Sequence, residues 1–335
     1  MEFGKGTLEG MEVMKVLIFG SSGFIGSNVT RCFFDNEEEV HVFIKGDSNT
    51  WRIKDIWENL VVHRGDLSSV NDVESVIASV KPDAVINCTG IVSGFGLDDQ
   101  DGVIQKNFVN AVNLINTCVK FNVNRLINTG SAYECGFSNT PIVGNKCVNE
   151  PIGLYGITKK AEREYIEMIA RKYEKEYITL RLFTPFGPFD SPIRLIPYII
   201  LSLSHNIAPH IKKPASGRDF IYIEDVCKVY YATAKQPETD KTGSVFNVGT
   251  GKMTRVLDIA KYLFSLADVN YSEASFNSER SQEFLYADSQ ETSRISSELN
   301  LTFTPIGEAL QRTFNWFIQN KNYYTFPLSK GKVDA

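Results

Sequence analysis

Residues Lys15–Gly26 read K-V-L-I-F-G-S-S-G-F-I-G, an apolar run followed by a glycine-rich turn. The run Lys15–Phe19 has the apolar, β-branched character of a buried strand, and a helical pattern follows the glycines directly. Glycines at such a turn let a phosphate approach the backbone amides at the helix N-terminus. The placement therefore favours a cofactor site over a turn without a ligand, and its predicted contacts are Gly20, Ser22, Gly23, Phe24, Ile25 and Gly26.

Short apolar runs alternate with segments of helical period along the first half of the chain. The predicted strands are Lys15–Phe19, Val40–Ile44, Leu60–His63, Ala84–Asn87, Arg125–Asn128 and Ile178–Phe183. The predicted helices are Phe24–Phe34, Val70–Val80, Val103–Phe121 and Thr158–Tyr173. Because the strands are continuously apolar, they predict a parallel sheet covered by helices on both faces. The expected fold class is α/β, a doubly wound parallel sheet of the Rossmann type.

The pattern changes after the sixth predicted strand. Proline and glycine cluster in Thr184–Pro192, which we interpret as neither a buried strand nor a helix interior. A strand at Val245–Val248 and helices at Arg255–Leu266 and Ile306–Phe317 come later. We expect a dinucleotide-binding Rossmann domain at 14–185, to which part of 218–250 returns, and a smaller interleaved substrate lobe at 186–217 and 251–325. Residues 1–13 are interpreted as a disordered leader or tag.

Composition narrows the class of protein. Apolar residues make up 43% of the chain, charged residues 22%, and the net charge is −5, which is typical of a soluble globular protein. With no concentrated basic face, no nucleic-acid or anionic-membrane partner is expected. The first residues lack the apolar core of a signal peptide, which favours a cytoplasmic protein. The six cysteines contain no C-x-x-C pair, so thiols in a reducing compartment are expected, with no metal site.

Charges after the second strand bear on cofactor choice. An acid normally stands there to bind the adenosine ribose of NAD, but this chain has Lys45, followed by Arg52. Two cations suit the 2′-phosphate of NADP, so NADP(H) is favoured over NAD, although Asp47 could serve as the ribose acid. Two further cofactor contacts are expected after the third and fourth strands, at Asp66-Leu67 and at Thr89.

The chemistry is predicted at Tyr155 and Lys159, four residues apart on one face of a helix. Free tyrosine titrates at about pH 10, and a nearby ammonium favours the phenolate. Such a pair can exchange a proton with a sugar oxygen while a nicotinamide handles the hydride. Ser131, which closes the fifth strand, supplies a hydroxyl for the same oxygen. The alternative interpretation is a packed tyrosine beside a solvated lysine, with Ser131 serving only as a cap.

Together these residues resemble the extended short-chain dehydrogenase/reductases, the NAD-dependent epimerase/dehydratase family. The resemblance runs from about residue 14 to 317 and includes T-G-S-A-Y-E-C-G, L-R-L-F-T-P-F-G-P, G-R-D-F-I-Y-I-E-D-V and F-N-V-G-T-G. It implies a catalytic set of Ser131, Tyr155 and Lys159, and cofactor contacts at Asn107 and Phe183. It also implies a homodimer through the helices near Val103–Phe121 and Thr158–Tyr173. A nucleoside diphosphate sugar would be bound by Ser93, Ser131, Thr184, Arg194, Arg218 and Arg280.

Departures from the family pattern narrow the reaction. Sugar 4,6-dehydratases carry an Asp-Glu pair where this chain has Ala132 and Tyr133, so a typical dehydratase is rejected. Cys135 stands where many members have tyrosine, and Thr184 where many epimerases have asparagine. The motifs look closest to 4-ketoreductases of deoxysugar pathways, such as the CDP-abequose/paratose synthase group. The expected reaction is NADPH-dependent reduction of a 4-keto-6-deoxysugar. A 4-epimerase with bound NAD is the alternative, and a non-catalytic NADP-binding regulator is a remote one.

Overall fold

A computed structural model describes residues 12–92, 100–145, 147, 149–235, 242–269 and 282–325. The predicted leader lies almost wholly outside these residues, as do Ser93 and Arg280. The chain divides into two compact units. The first unit comprises 1–136, 144–182 and 226–248, and the second comprises 137–143, 183–225 and 249–335. Whether the predicted domains fold as separate bodies stays a prediction.

The strands and helices follow the predicted alternation. The strands are β1 Lys15–Phe19, β2 Glu39–Ile44, β3 Val61–Arg64, β4 Ala84–Asn87, β5 Arg125–Ser131, β6 Glu176–Leu182, β7 Thr184–Phe186, β8 Gly217–Arg218, β9 Phe220–Tyr222, β10 Val245–Val248, β11 Thr254–Arg255 and β12 Phe284–Leu285. The helices are α1 Phe24–Asp35, α2 Val70–Val80, α3 Gln100–Ile104, α4 Asn110–Lys120, α5 Gly153–Tyr173, α6 Leu195–Ser204, α7 Ile223–Lys235, α8 Val256–Leu266, α9 Ser289–Glu298 and α10 Ile306–Asn320. No helix in this described part of the chain has the length and hydrophobicity to span a bilayer.

The first unit is built on a seven-stranded sheet in the order β10-β6-β5-β4-β1-β2-β3. Every pairing in it is parallel, so the predicted fold class is confirmed. Strand β1 lies between β4 and β2, with Val16 opposite both Val40 and Ala84. Residues of β1, β4, α2, α4 and α5 share one hydrophobic cluster. The carboxyl ends of the strands therefore meet at one edge, where parallel sheets bind ligands.

The helix predicted at Val103–Phe121 is not one regular helix. A π-helical turn at Gln105–Val109 separates α3 from α4. Turns of this kind occur where a helix accommodates an extra residue, frequently at functional sites. The turn contains Asn107, and apolar periodicity alone did not reveal it.

The second unit contains a three-stranded sheet, β11-β8-β12, and the two-stranded pair of β7 and β9. The strand β7 corrects our interpretation of Thr184–Pro192, because Pro185 and Phe186 are buried in it. A two-stranded pair leaves one edge of each strand without a partner strand, and proline is tolerated there. Short strands of this kind escape composition-based reasoning because a single proline obscures them.

A histidine pair lies on adjacent strands of the first unit. His41 Nδ1 is 2.9 Å from His63 Nε2, and His41 Nε2 is 2.8 Å from Glu39 Oε1. The two rings stack with centroids 5.2 Å apart. Burial and the neighbouring His41 hold the pKa of His63 below its usual value.

This pair predicts a loss of stability in acid. Below the pKa of an unfolded histidine, near 6.5, the unfolded chain binds a proton at His63 that the folded protein resists. The stability is present above that pH and is lost as the pH falls toward the lowered value. Denaturant unfolding of His63→Gln should give a shallower decline between pH 7.5 and pH 5.5 (about one unit on either side of 6.5) than wild type. The exposed His210→Gln is the control, and equal slopes in all three proteins would contradict the account.

Candidate active site

The glycine turn packs against the carboxyl end of β4. Gly20 has φ +83°, and a Cβ there would lie 2.6 Å from the carbonyl oxygen of Cys88. A Cβ on Gly26 would lie 2.1 Å from the carbonyl oxygen of Gly20. Gly23 is the N-cap of α1, and as a glycine it has no side chain to cap the first amides of the helix. These close approaches require glycine at positions 20 and 26, and a phosphate bound at this helix N-terminus stays a prediction.

The two cations predicted to bind the adenosine end lie in different surroundings. Lys45 Nζ is 3.3 Å from Asp66 Oδ2, in an exposed pair. Hydrogen bonds from the backbone and hydroxyl of Ser68 hold the pKa of Asp66 below its usual range. Arg52 lies against the glycine turn, with Nη1 3.5 Å from the carbonyl oxygen of Ser22 and its guanidinium over the Trp51 ring. Leu67 packs in the hydrophobic cluster of the first unit.

Hydrogen bonds join the ends of β4 and β5. The side chain of Asn87 donates to Asn128 Oδ1 at 2.8 Å, and its own Oδ1 accepts from the hydroxyl of Thr89 at 2.6 Å. Thr129 Oγ1 donates to the backbone oxygen of Asn87 at 2.7 Å. Because these hydrogen bonds join protein groups directly, they hold the ends of β4 and β5 at a fixed spacing.

Tyr155 and Lys159 lie in the first two turns of α5, beside these strand ends. Lys159 is 2% exposed, and its Nζ donates to the backbone oxygens of Thr129 at 2.9 Å and Thr89 at 3.4 Å. Tyr155 is half-buried, and its ring meets that of Tyr133 edge-on with centroids 6.1 Å apart. The phenol hydroxyl of Tyr155 has no hydrogen-bond partner in the part of the chain that the structure describes. It therefore presents a free acid–base group beside a buried ammonium.

Glu162 completes this arrangement and was not among the predicted site residues. Its Oε2 is 2.8 Å from Lys159 Nζ, and its Oε1 accepts from Asn87 Nδ2 at 3.1 Å. Burial alone would lower the pKa of Lys159, but the adjoining Glu162 carboxylate and Tyr155 more than offset this and raise it. Burial raises the pKa of Glu162, and the ammonium partly counters that rise. Lys159 is therefore held as a cation.

Ser131 and Asn107 make hydrogen bonds near the carboxyl ends of β5 and β4. Ser131 Oγ accepts from the backbone N–H of Tyr133 at 3.3 Å and caps the short turn Ala132–Cys135. The side chain of Asn107 bonds both backbone groups of Ile91, at 2.8 and 3.0 Å, and lies 3.3 Å from the hydroxyl of Thr158. These bonds position the chain that leaves β4. The roles of both residues as ligands stay predictions.

The remaining candidates lie in the second unit. Arg218 is buried, stacks on the Phe137 ring at 4.8 Å, and donates to the backbone oxygen of Glu283 at 2.7 Å. Thr184 lies on β7, and the neighbouring Phe183 is buried. Arg194 is the N-cap of α6, with Nε 3.6 Å from Asp190 Oδ1. Their assignment to cofactor or substrate also stays a prediction.

A second buried ion cluster supports the turn after β5. Glu134 is fully buried, and its carboxylate accepts from Arg163 Nε at 2.7 Å and from Arg181 Nε at 2.5 Å. Arg181 also donates to the backbone oxygen of Gly144 and to Asn145 Oδ1. Arg181 therefore joins this turn to the segment that begins at Gly144. No spacing rule in the sequence signals such a long-range cluster.

The structure corrects our expectation for two cysteines, one in the turn after β5 and one in the segment that begins at Gly144. Cys135 and Cys147 form a disulfide, whereas six thiols were expected. Arg181 bonds Glu134 and Asn145, which lie close in sequence to the two cysteines, and the twelve-residue separation gave no sign of the pairing. Cys32, Cys88, Cys118 and Cys227 form no disulfide.

Alkylation tests this disulfide. In unreduced, denatured protein, iodoacetamide should modify the four cysteines outside the disulfide and leave Cys135 and Cys147 unmodified, and prior reduction should make both reactive. Peptide mass spectrometry of the purified protein reads this directly. Cys135→Ser should expose Cys147 to alkylation without reduction. Full modification of wild type before reduction would contradict the pairing.

Comparisons with known proteins agree with this geometry. A model described as the NAD dependent epimerase/dehydratase family matches residues 16–249. A UDP-glucose 4-epimerase of Pisum sativum is 25% identical, over 73% of this chain and 79% of that protein. The structure resembles dTDP-glucose 4,6-dehydratase from Bacillus anthracis in complex with NAD (TM-score 0.82, 16% identity, 93% of this chain and 99% of that one). It also resembles UDP-glucose 4-epimerase with UDP-glucose from Thermotoga maritima (TM-score 0.80, 20% identity, 92% and 100%).

The chain belongs to the NAD-dependent epimerase/dehydratase family, and so to the extended short-chain dehydrogenase/reductases. The predicted family and enzyme class are confirmed. The likeness to the two solved structures, at 16% and 20% identity, shows the fold alone.

Proposed function

We propose that the protein reduces the 4-keto group of a nucleoside-diphosphate 4-keto-6-deoxysugar with NADPH. The observation that carries the proposal is the free hydroxyl of Tyr155 beside the buried ammonium of Lys159, at the carboxyl ends of β4 and β5. A proton donor at that edge can reach an oxygen of a ligand bound there.

A reduced nicotinamide, when bound, supplies the hydride that the sugar carbonyl carbon accepts. The chain's own part is the proton. The O–H bond of Tyr155 breaks as the carbonyl oxygen takes its proton, and the carbonyl becomes an alcohol. The two electrons that reduce the carbonyl are those that the cofactor would lose with the hydride. The phenolate then recovers a proton from solvent. Lys159 stabilises the phenolate while it exists. Ser131 is assigned as a second hydrogen-bond partner of the sugar carbonyl oxygen.

Arg52 supports the choice of NADP. Its guanidinium lies at the glycine turn, beside Ser22, where the adenosine side of a dinucleotide begins. Stacking on Trp51 keeps its planar face fixed, which suits bidentate recognition of a phosphate. Lys45, paired with Asp66, adds a second cation after β2.

The turn after β5 argues against a dehydratase. Its first two residues are Ala132, which is fully buried, and Tyr133. The acid that follows, Glu134, is fully buried and bound by two arginines, so it is not available as an acid or base for elimination.

The substrate and assembly are assigned from the family pattern. Arg218, Arg194 and Thr184 are proposed ligands of the nucleotide sugar, because a guanidinium binds a diphosphate well. A homodimer through α4 and α5 is proposed as well. Exposed apolar side chains on and beside these helices, Val109, Ile157 and Met168, suit such an interface.

A nucleotide-sugar 4-epimerase is the second candidate. It is favoured by the relative from Pisum sativum and the solved structure from Thermotoga maritima, both UDP-glucose 4-epimerases. Such an enzyme would use the same tyrosine and lysine in both directions and would retain NAD between turnovers.

Cofactor consumption separates the two candidates. On mixing with dTDP- or CDP-4-keto-6-deoxyglucose, the wild type should oxidise one NADPH per sugar, followed by NADPH absorbance. Tyr155→Phe should lower the rate by about 10²-fold or more, because the proton donor is lost. Tyr165→Phe, on the same helix, is the matched control and should retain activity, since its hydroxyl bonds Asn116 instead.

The contrary result is equally clear. No NADPH oxidation with either sugar, together with NAD retained by the purified protein, would replace the reductase with the epimerase.

A further inference from the structure

The carboxylate of Glu162 lies directly on the ammonium of Lys159. The two side chains are 1% and 2% exposed, and the distance between their charged atoms is 2.8 Å. Both carboxylate oxygens accept hydrogen bonds, one from Lys159 and one from the amide of Asn87. Among the described residues, the groups that bond this carboxylate are hydrogen-bond donors, which is the pattern of an ionised carboxylate.

In the described part of the chain, three groups that face this pair leave its charge balance unchanged. Cys88 faces Lys159 from the end of β4, and burial raises its pKa to about 11, so it is neutral at physiological pH. Tyr230 of α7 bonds Thr129 and has a pKa raised well above its usual value by burial, so it is neutral too. Glu134 faces Glu162, and together with Glu167 it is paired with Arg163 and Arg181, two carboxylates with two guanidiniums. Tyr155 therefore meets a lysine and glutamate of opposite charge in place of a lone cation.

We propose that Glu162 is a positioning residue that offsets the charge of Lys159 and so keeps Tyr155 in its protonated, proton-donating form. An unopposed ammonium stabilises a phenolate, which is the state needed to take a proton from an alcohol. A neutralised ammonium favours the phenol, which is the state needed to give a proton to a ketone. The inference rests on the proposed reductase function and explains how the site favours the reductive direction.

The size of the effect follows from helix geometry. Glu162 is seven residues beyond Tyr155 on α5, about 10 Å along the axis. A unit charge at that distance, at an effective dielectric constant near 20, shifts an ionisation by about one pH unit, a tenfold change in its constant.

Absorbance titration of tyrosinate tests this without substrate or cofactor. Ligand-free wild type and Glu162→Gln are each titrated against a counterpart carrying Tyr155→Phe, so that the difference reports this tyrosine alone. The midpoint should lie about one pH unit lower in Glu162→Gln. Glu162→Asp, which retains the charge, should restore the wild-type midpoint, and Glu164→Gln, whose carboxylate is exposed on the same helix, should not move it. A midpoint that is unchanged or higher in Glu162→Gln would overturn the proposal.

Turnover gives a second readout. In the reductive direction, the fall of activity at alkaline pH should move to lower pH in Glu162→Gln by the same amount. If wild type oxidises NADPH but the tyrosinate midpoint does not move, the role of Glu162 fails and the reductase stands. If the midpoint moves but no sugar is reduced, the reductase assignment fails instead.

Wild type alone also tests the inference, should Glu162→Gln fail to fold. With ¹³C in the glutamate side-chain carboxyls, and the Glu162 signal assigned from Glu162→Asp, the carboxyl shift should be that of an ionised group at neutral pH. A protonated carboxyl there would overturn the proposal, because it could not offset the ammonium.

Discussion

The ammonium of Lys159 holds three elements together, and the candidate site depends on it. It donates to backbone oxygens that follow β4 and belong to β5, while its own chain belongs to α5. A buried cation is costly unless it is paired and hydrogen-bonded, and here Glu162 and two carbonyl oxygens meet that requirement. Removing one partner of such a pair typically costs about 3–5 kcal/mol, so the pair also constrains the fold. Stability and proton chemistry are thus joined in one group of side chains.

The glycine turn and the strand ends meet for a related reason. Gly20 can approach Cys88 only because it has no Cβ, and the backbone after β4 carries Thr89, which in turn accepts from Lys159. The phosphate turn and the proton donor are therefore fixed to the same strand end. This explains why a parallel sheet, whose strands finish at one edge, can bring a cofactor turn near the N-terminus together with a tyrosine about 130 residues later.

Much of this could be predicted from sequence because the signals were local. The glycine turn, the parallel strands and Tyr155 with Lys159 are each read from a few neighbouring residues, and the structure contains all of them where expected. Part of what escaped was set by distant contacts. Glu134 looked like an ordinary turn acid, and only folding places it against Arg181. Glu162 lies three residues after Lys159 on α5, so its pairing follows from helix spacing, but its burial beside Asn87 depends on the fold. The Cys135–Cys147 disulfide and the π-helical turn at Asn107 were missed as well. Fold-level likeness could not fill these gaps, since one fold supports several chemistries.

We propose that Tyr155 faces the reacting oxygen of a nucleotide sugar at the ends of β4 and β5. The most direct test is a crystal structure of Tyr155→Phe with NADP⁺ and the substrate bound. The account predicts that the oxygen on sugar C4 lies beside the edge of ring 155, within reach of a phenol hydroxyl restored there. It also predicts that the nicotinamide lies against the same sugar carbon. A sugar whose C4 lies away from ring 155, with another side chain on its oxygen, would contradict the account.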